Sequence, residues 1–79
     1  MNEYFLGVVS EVLKIDPRRL TPESTAESVP EWDSLSHWTV IGRLEEVYGI
    51  EFTLDEATEF KNLGDIYHTL QQKLKDKKM

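Results

Sequence analysis

The sequence predicts an all-α domain: a four-helix bundle with three longer helices, one short third helix and a long connection between helices one and two. Three observations carry that reading. Apolar residues recur every three or four positions in three separate stretches, the period of helices buried on one face. Residues suited to capping stand where those stretches begin, at Asp33-Ser34, Thr53 and Asn62. The prolines fall only at positions 17, 22 and 30, so chain breaks gather in one region and the later helices run free of them.

The first helix is expected from Asn2 to Ile15, with Phe5, Val8, Val12 and Ile15 at helical spacing and Val9 and Leu13 widening the stripe. Asp16-Pro17 should end it, because the residue before a proline disfavours helix. From Asp16 to Asp33 the chain reads as a connection in which Pro17 starts a short turn and Leu20 and Val29 pin the loop to the bundle. A connection this long in so small a domain suggests a loop that travels the length of the bundle. The next helix opens at Ser34, with Leu35, Trp38, Ile41, Leu44 and Val47 as its stripe, and stops at Gly49, which tolerates the left-handed conformation past a helix end. Gly49 to Thr53 should be extended, with Ile50 and Phe52 inward. Thr53 with Glu56 three residues on is a capping box, opening a short helix from Leu54 to about Thr58, after which Phe60 plugs the core. Asn62 then caps a last helix carrying Leu63, Ile66, Tyr67, Leu70 and Leu74, with Lys73, Lys75, Lys77 and Lys78 near its end, where cations complement the helix dipole.

Seventy-nine residues make one small domain, so nearly all the apolar residues must go to its core and little remains for a deep catalytic cleft. With no cysteine there is no disulfide, no thiolate metal site and no cysteine nucleophile; any thiol chemistry has to come from a prosthetic group. No apolar run is long enough to cross a membrane, and Met1-Asn2-Glu3-Tyr4 does not begin a signal peptide, so a cytoplasmic, monomeric protein is expected. The net charge of −6 is uneven: between Glu23 and Glu59 ten acids stand against one base, Arg43. That acidic middle repels phosphates and argues against nucleic acid; it suits partners with basic patches.

The residue of interest is Ser34, a hydroxyl at the mouth of a helix. Such an end carries partial positive charge and free N–H donors, a favourable place for a phosphate built on the serine. A nucleophile role with Asp33 and His37 does not fit, since both lie too near in sequence for a serine–base–orienter geometry and no Gly-x-Ser-x-Gly turn is present. His37 and His68 lack metal-ligand spacing. His37, one helical turn past Ser34, is placed to touch a phosphate there. The plainest alternative makes Ser34 a helix cap in a small helical interaction module. Trp32 and Trp38 flank the serine and read chiefly as core and loop cover. Gly42, in mid-helix, implies either a closely approaching helix or room for a bound group.

Asp33-Ser34-Leu35, followed by an amphipathic helix ending Leu44-Glu45-Glu46-Val47-Tyr48 and then Gly49-Ile50, resembles the acyl carrier protein family along nearly the whole chain. The resemblance implies the acyl-carrier type of four-helix bundle. It also implies that Ser34 carries a 4′-phosphopantetheine arm, attached by a phosphopantetheinyl transferase using coenzyme A and Mg²⁺, with Asp33 positioning the hydroxyl or the metal. The arm's thiol would hold acyl intermediates as thioesters while the protein, not itself an enzyme, shuttles them between acyl-loading and acyl-processing enzymes of fatty-acid, polyketide or related biosynthesis. Docking is expected on the Ser34 helix through Glu45 and Glu46, helped by Asp55, Glu56 and Glu59. Glu31-Trp32 before the aspartate, Ser36 and Thr39 in place of acids, and Gly42 in place of a large apolar residue resemble stand-alone carriers, including D-alanyl carriers, more than the housekeeping fatty-acid carrier. An amino-acyl, D-alanyl or peptidyl cargo is the alternative within the family.

Overall fold

The computed structural model describes residues 1–77. Four α-helices follow in order, α1 Glu3–Leu13, α2 Ser34–Tyr48, α3 Leu54–Glu59 and α4 Leu63–Lys77, with one 3₁₀ turn at Pro17–Arg19 in the long connection. Lys78, the last of the four expected lysines, lies outside the described residues.

Local chemistry sets each boundary. The Asn2 side chain accepts from the Phe5 amide at 2.8 Å and starts α1. The helix ends two residues before the expected Ile15, because Lys14 takes the left-handed conformation at φ 59° and the amides of Lys14 and Ile15 both turn back to the Ser10 carbonyl. α2 closes in the same way, with Gly49 at φ 66° and the Gly49 and Ile50 amides on the Glu45 carbonyl. Both arms of the Thr53–Glu56 capping box are formed, and Asn62 Oδ1 accepts from Asp65 N at 2.8 Å at the head of α4.

The core is built from every part of the chain. α1 contributes Phe5, Val9 and Leu13, α2 Val40 and Leu44, and α4 Leu63, Ile66 and Leu70. The connection adds Leu20, Val29 and Trp32, so it behaves as a fifth packing element. It also caps α4: the carbonyls of Pro22 and Ser24 accept the amides of Gly64 and Leu63 at 2.8 and 2.9 Å, satisfying donors that a helix start leaves open. Side-chain turns at Thr21–Ser24 and Thr25–Ser28 shape the segment that does this, and Arg19 pairs with Glu31 at 2.9 and 3.0 Å, joining the start of the connection to its end.

The stripe on α2 is rotated from the expected one. Val40, Ile41 and Leu44 are buried, but Leu35 is 78 % exposed and Trp38 45 %. The inward series runs His37, Val40, Ile41, Leu44 and Tyr48, so a histidine fills the first core-facing position and the two apolar residues of the opening turns face outward. Gly42 is solvent-exposed, and a Cβ added there would meet nothing within 4 Å. No closely approaching helix explains it.

Gly64 is the opposite case: a Cβ there would lie 3.0 Å from the Pro22 carbonyl oxygen and 3.3 Å from Asn62 Oδ1. Gly42→Ala should therefore stabilise the domain by about 1 kcal/mol, raising the thermal midpoint by roughly 4–8 °C. Gly64→Ala should lower the midpoint, and urea unfolding of the pair against the native chain checks both signs.

Candidate functional site

Asp33 and Ser34 are both able to cap a helix, and the fold assigns the task to Asp33. Its backbone is extended at φ −90° and ψ −177°, and its Oδ1 accepts from the Ser36 amide at 2.8 Å. Ser34 is then the first residue inside α2, exposed to solvent, and its hydroxyl makes no hydrogen bond among the described residues. The rival reading of Ser34 as a cap thus loses its physical basis, because the cap is the residue before it. The Ser36 backbone N–H is the main cause that holds the Asp33 carboxyl below the usual carboxylate range, so Asp33 stays anionic beside the serine.

His37, expected to touch a phosphate on Ser34, has both ring nitrogens engaged elsewhere. Trp32 Nε1–H donates to His37 Nδ1 at 3.1 Å, and an indole can only donate, so that ring nitrogen carries a lone pair. The imidazole proton therefore sits on Nε2, which donates to the Ala57 carbonyl at 2.8 Å. The Trp32 ring stacks on the imidazole with centroids 6.0 Å apart, and Trp38 meets it edge-on at 5.7 Å. Both nitrogens are committed, and His37 joins the end of the connection, the second turn of α2 and α3. Sequence reasoning missed this role; the signal was a histidine at the head of the true i, i+3, i+4, i+7 series.

Between α2 and α3 lies a cleft of about 360 Å³, lined by Ser34 and Asp33 together with Trp32, His37, Trp38, Ala57 and Phe60. The serine opens directly onto a partly aromatic recess.

The five acids expected to meet partners divide in two. Glu45 is half-buried and its Oε2 accepts from the Phe52 amide at 2.8 Å, tying α2 to the segment after it. Glu56 accepts from Thr53 N and pairs with Lys73 at 2.8 Å, and Lys73 is the main cause that lowers its pKa. Glu46, Asp55 and Glu59 are exposed and have no ion-pair partner among the described residues. Leu35, expected in the buried stripe of α2, and Leu54, the first residue of α3, are exposed apolar side chains, Leu54 at 69 %.

The comparisons with known proteins point one way. The family model described as a phosphopantetheine attachment site matches residues 3–70. The chain is 30 % identical over 68 residues to an acyl carrier protein of Thermosynechococcus vestitus, covering 86 % of this chain and 84 % of that one. It is 34 % identical over 60 residues to an acyl carrier protein of Helicobacter pylori strain G27, covering 76 % and 77 %. The solution structure of a holo acyl carrier protein from Geobacter metallireducens superposes with a TM-score of 0.86 at 36 % identity, covering 95 % of this chain and 86 % of that one. Among the described residues, no helix is long and apolar enough to cross a membrane.

Three substitutions separate cap from attachment point. Ser34→Ala should leave stability within about 0.5 kcal/mol, as for a surface change that breaks no contact. Asp33→Ala should lower the thermal midpoint, whereas Asp33→Asn should keep it near neutral pH, since asparagine caps as well as aspartate. A carboxyl whose pKa is lowered by folding stabilises fully above its ordinary value near ~3.9, and that contribution is lost as pH falls through the lower folded value. Acid titrations of stability should therefore show a smaller loss below about pH 4 in Asp33→Asn than in the native chain.

Proposed function

The chain belongs to the acyl carrier protein family, and from that premise we propose that Ser34 is the serine that takes the 4′-phosphopantetheine arm. The observation that carries the assignment is the free Ser34 hydroxyl, exposed at the first position of α2 while Asp33 does the capping. The residues present fit the group. Ser34 and Leu35 head a 15-residue helix whose dipole favours a phosphodiester by roughly 0.3–1 kcal/mol. When bound, the arm supplies the thiol that a cysteine-free chain lacks and carries acyl groups as thioesters.

The protein is a carrier and not a catalyst. Its own residues expose one hydroxyl, hold an anionic carboxylate beside it, and keep the helix that bears both rigid against the bundle. In the attachment reaction, Ser34 Oγ is the acceptor and Asp33, with its Oδ1 held by the Ser36 amide, fixes the orientation of the turn. Holding substrate on a tether gives it an effective concentration of the order of millimolar at a docked enzyme.

Family members work with a phosphopantetheinyl transferase and acyl-processing enzymes. For this chain we assign docking to the α2–α3 side, with Glu46, Asp55 and Glu59 as charges that meet basic patches and Leu35 and Trp38 as apolar contacts. Glu45 and Glu56 act first as structural ties. Exposed ion pairs are worth roughly 0.2–1 kcal/mol each, so partner affinity is weak, salt-sensitive and suited to release. We read the 79 residues as one cytoplasmic carrier domain serving fatty-acid, polyketide or related biosynthesis. The buried Trp32, 4 % exposed and bonded to His37, favours the specialised stand-alone type, with amino-acyl or D-alanyl cargo as the second reading.

Incubation with a promiscuous phosphopantetheinyl transferase, Mg²⁺ and coenzyme A should add one arm by intact mass and one titratable thiol, with neither gain in Ser34→Ala. No gain in the native chain would remove the assignment. In the loaded protein, charge reversal at Glu46, Asp55 and Glu59 should slow acyl transfer and flatten its salt dependence while leaving the helical spectrum intact. Unchanged transfer kinetics would exclude this docking surface.

A further inference from the structure

A carrier must put its cargo somewhere, and two places are available: the bundle core or the cleft outside it. The core is tightly closed. Phe5, Val40, Leu44, Leu63, Ile66 and Leu70 are each 0 % exposed. The cleft beside Ser34 lies between α2 and α3, and three of its lining residues are linked. Trp32, only 4 % exposed, donates to His37, and His37 in turn donates across to the carbonyl of Ala57, a buried residue of α3. The Trp32 donor fixes the tautomer and leaves the proton on Nε2, where the Ala57 carbonyl accepts it.

Outside this relay the chain keeps its recess of about 360 Å³, floored by Trp32, His37 and Ala57 and opening past Ser34, Trp38 and Lys61. A recess of that volume matches a short acyl group better than a long one. Its mixed lining, indole and imidazole beside hydroxyl and ammonium, suits a short acyl group better than an aliphatic tail.

We propose that the Trp32–His37–Ala57 relay bars acyl chains from the core, so that this carrier handles short acyl groups kept outside the bundle, in the cleft beside Ser34. The inference rests on Ser34 being the attachment serine, and the test keeps the two apart.

The apo protein is loaded from acetyl-, butyryl-, hexanoyl-, octanoyl- and decanoyl-coenzyme A by a promiscuous transferase. Intact mass reports loading, and the thermal midpoint and the rate of thioester cleavage by hydroxylamine are read on each product. In the native chain both should be flat from butyryl to decanoyl. In His37→Ala the midpoint should rise by about 5 °C or more over the same series, as methylenes become buried, and cleavage should slow with length. A chain-length-dependent rise in the native protein would overturn the proposal, as would a flat series in a folded His37→Ala. Should that variant lack a cooperative transition, Trp32→Phe, which keeps the ring and removes the N–H donor, should show a smaller rise of the same sign; a flat series there would equally overturn it. Absence of any mass gain would instead strike the attachment assignment and, with it, the inference built on it.

Discussion

The first two amides of α4 have no partner within their own helix, and the carbonyls of Pro22 and Ser24 supply one. That pair of bonds determines where the long connection must lie. To bring residues 22–24 to the head of α4, the chain leaving α1 has to cross the bundle, and in crossing it buries Leu20, Val29 and Trp32. What reads as a loop is thus a structural layer whose carbonyls, rather than a helix, complete the last element. Gly64 follows from the same contact, since the Pro22 oxygen sits where a side chain would go. The connection ends at Asp33 with its direction already set, and α2 starts at the edge of the bundle with its first turn in solvent.

That overhang explains the site. A helix packed along its whole length would bury its opening turn; here the first two residues are exposed, Ser36 and His37 are half-buried, and the first fully buried residue is Val40. Ser34 and Leu35 are left outside, the first with a free hydroxyl and the second as an exposed apolar side chain. The capping duty falls to Asp33, so the serine proposed to carry the arm is relieved of a structural one. Capping and the proposed attachment occupy neighbouring positions without sharing an atom, so a modified hydroxyl would leave the cap in place.

The bundle, its order of elements and the Ser34 region were legible because they rest on local rules: periodicity, caps, a capping box and proline breaks. What escaped depends on partners distant in sequence. Leu35 and Trp38 share the helical phase of a core stripe, and only the angle at which α2 leaves the bundle turns them outward. His37 reads from the sequence as a neighbour able to touch a phosphate on Ser34, yet an indole from the connection and a carbonyl from α3 make it a satisfied, half-buried group. Glu45 and Glu56 look like free surface charge until the Phe52 amide and Lys73 come to meet them. Gly42 invited an explanation by contact, and its surroundings hold none.

The far end of α2 carries a consequence for where this domain stops. Lys77 sets its ammonium 2.7 Å from the Gly49 carbonyl and 3.4 Å from that of Tyr48, placing a cation at the negative end of the helix that begins with Ser34. Lys73, one turn earlier, reaches Glu56 on α3. The match to the family model ends at residue 70, before either lysine. A boundary drawn at that residue would keep every residue of α2 and α3 and still strip both of a counter-charge. In this small bundle, the charges that complete two helices come from beyond the stretch that the family model matches.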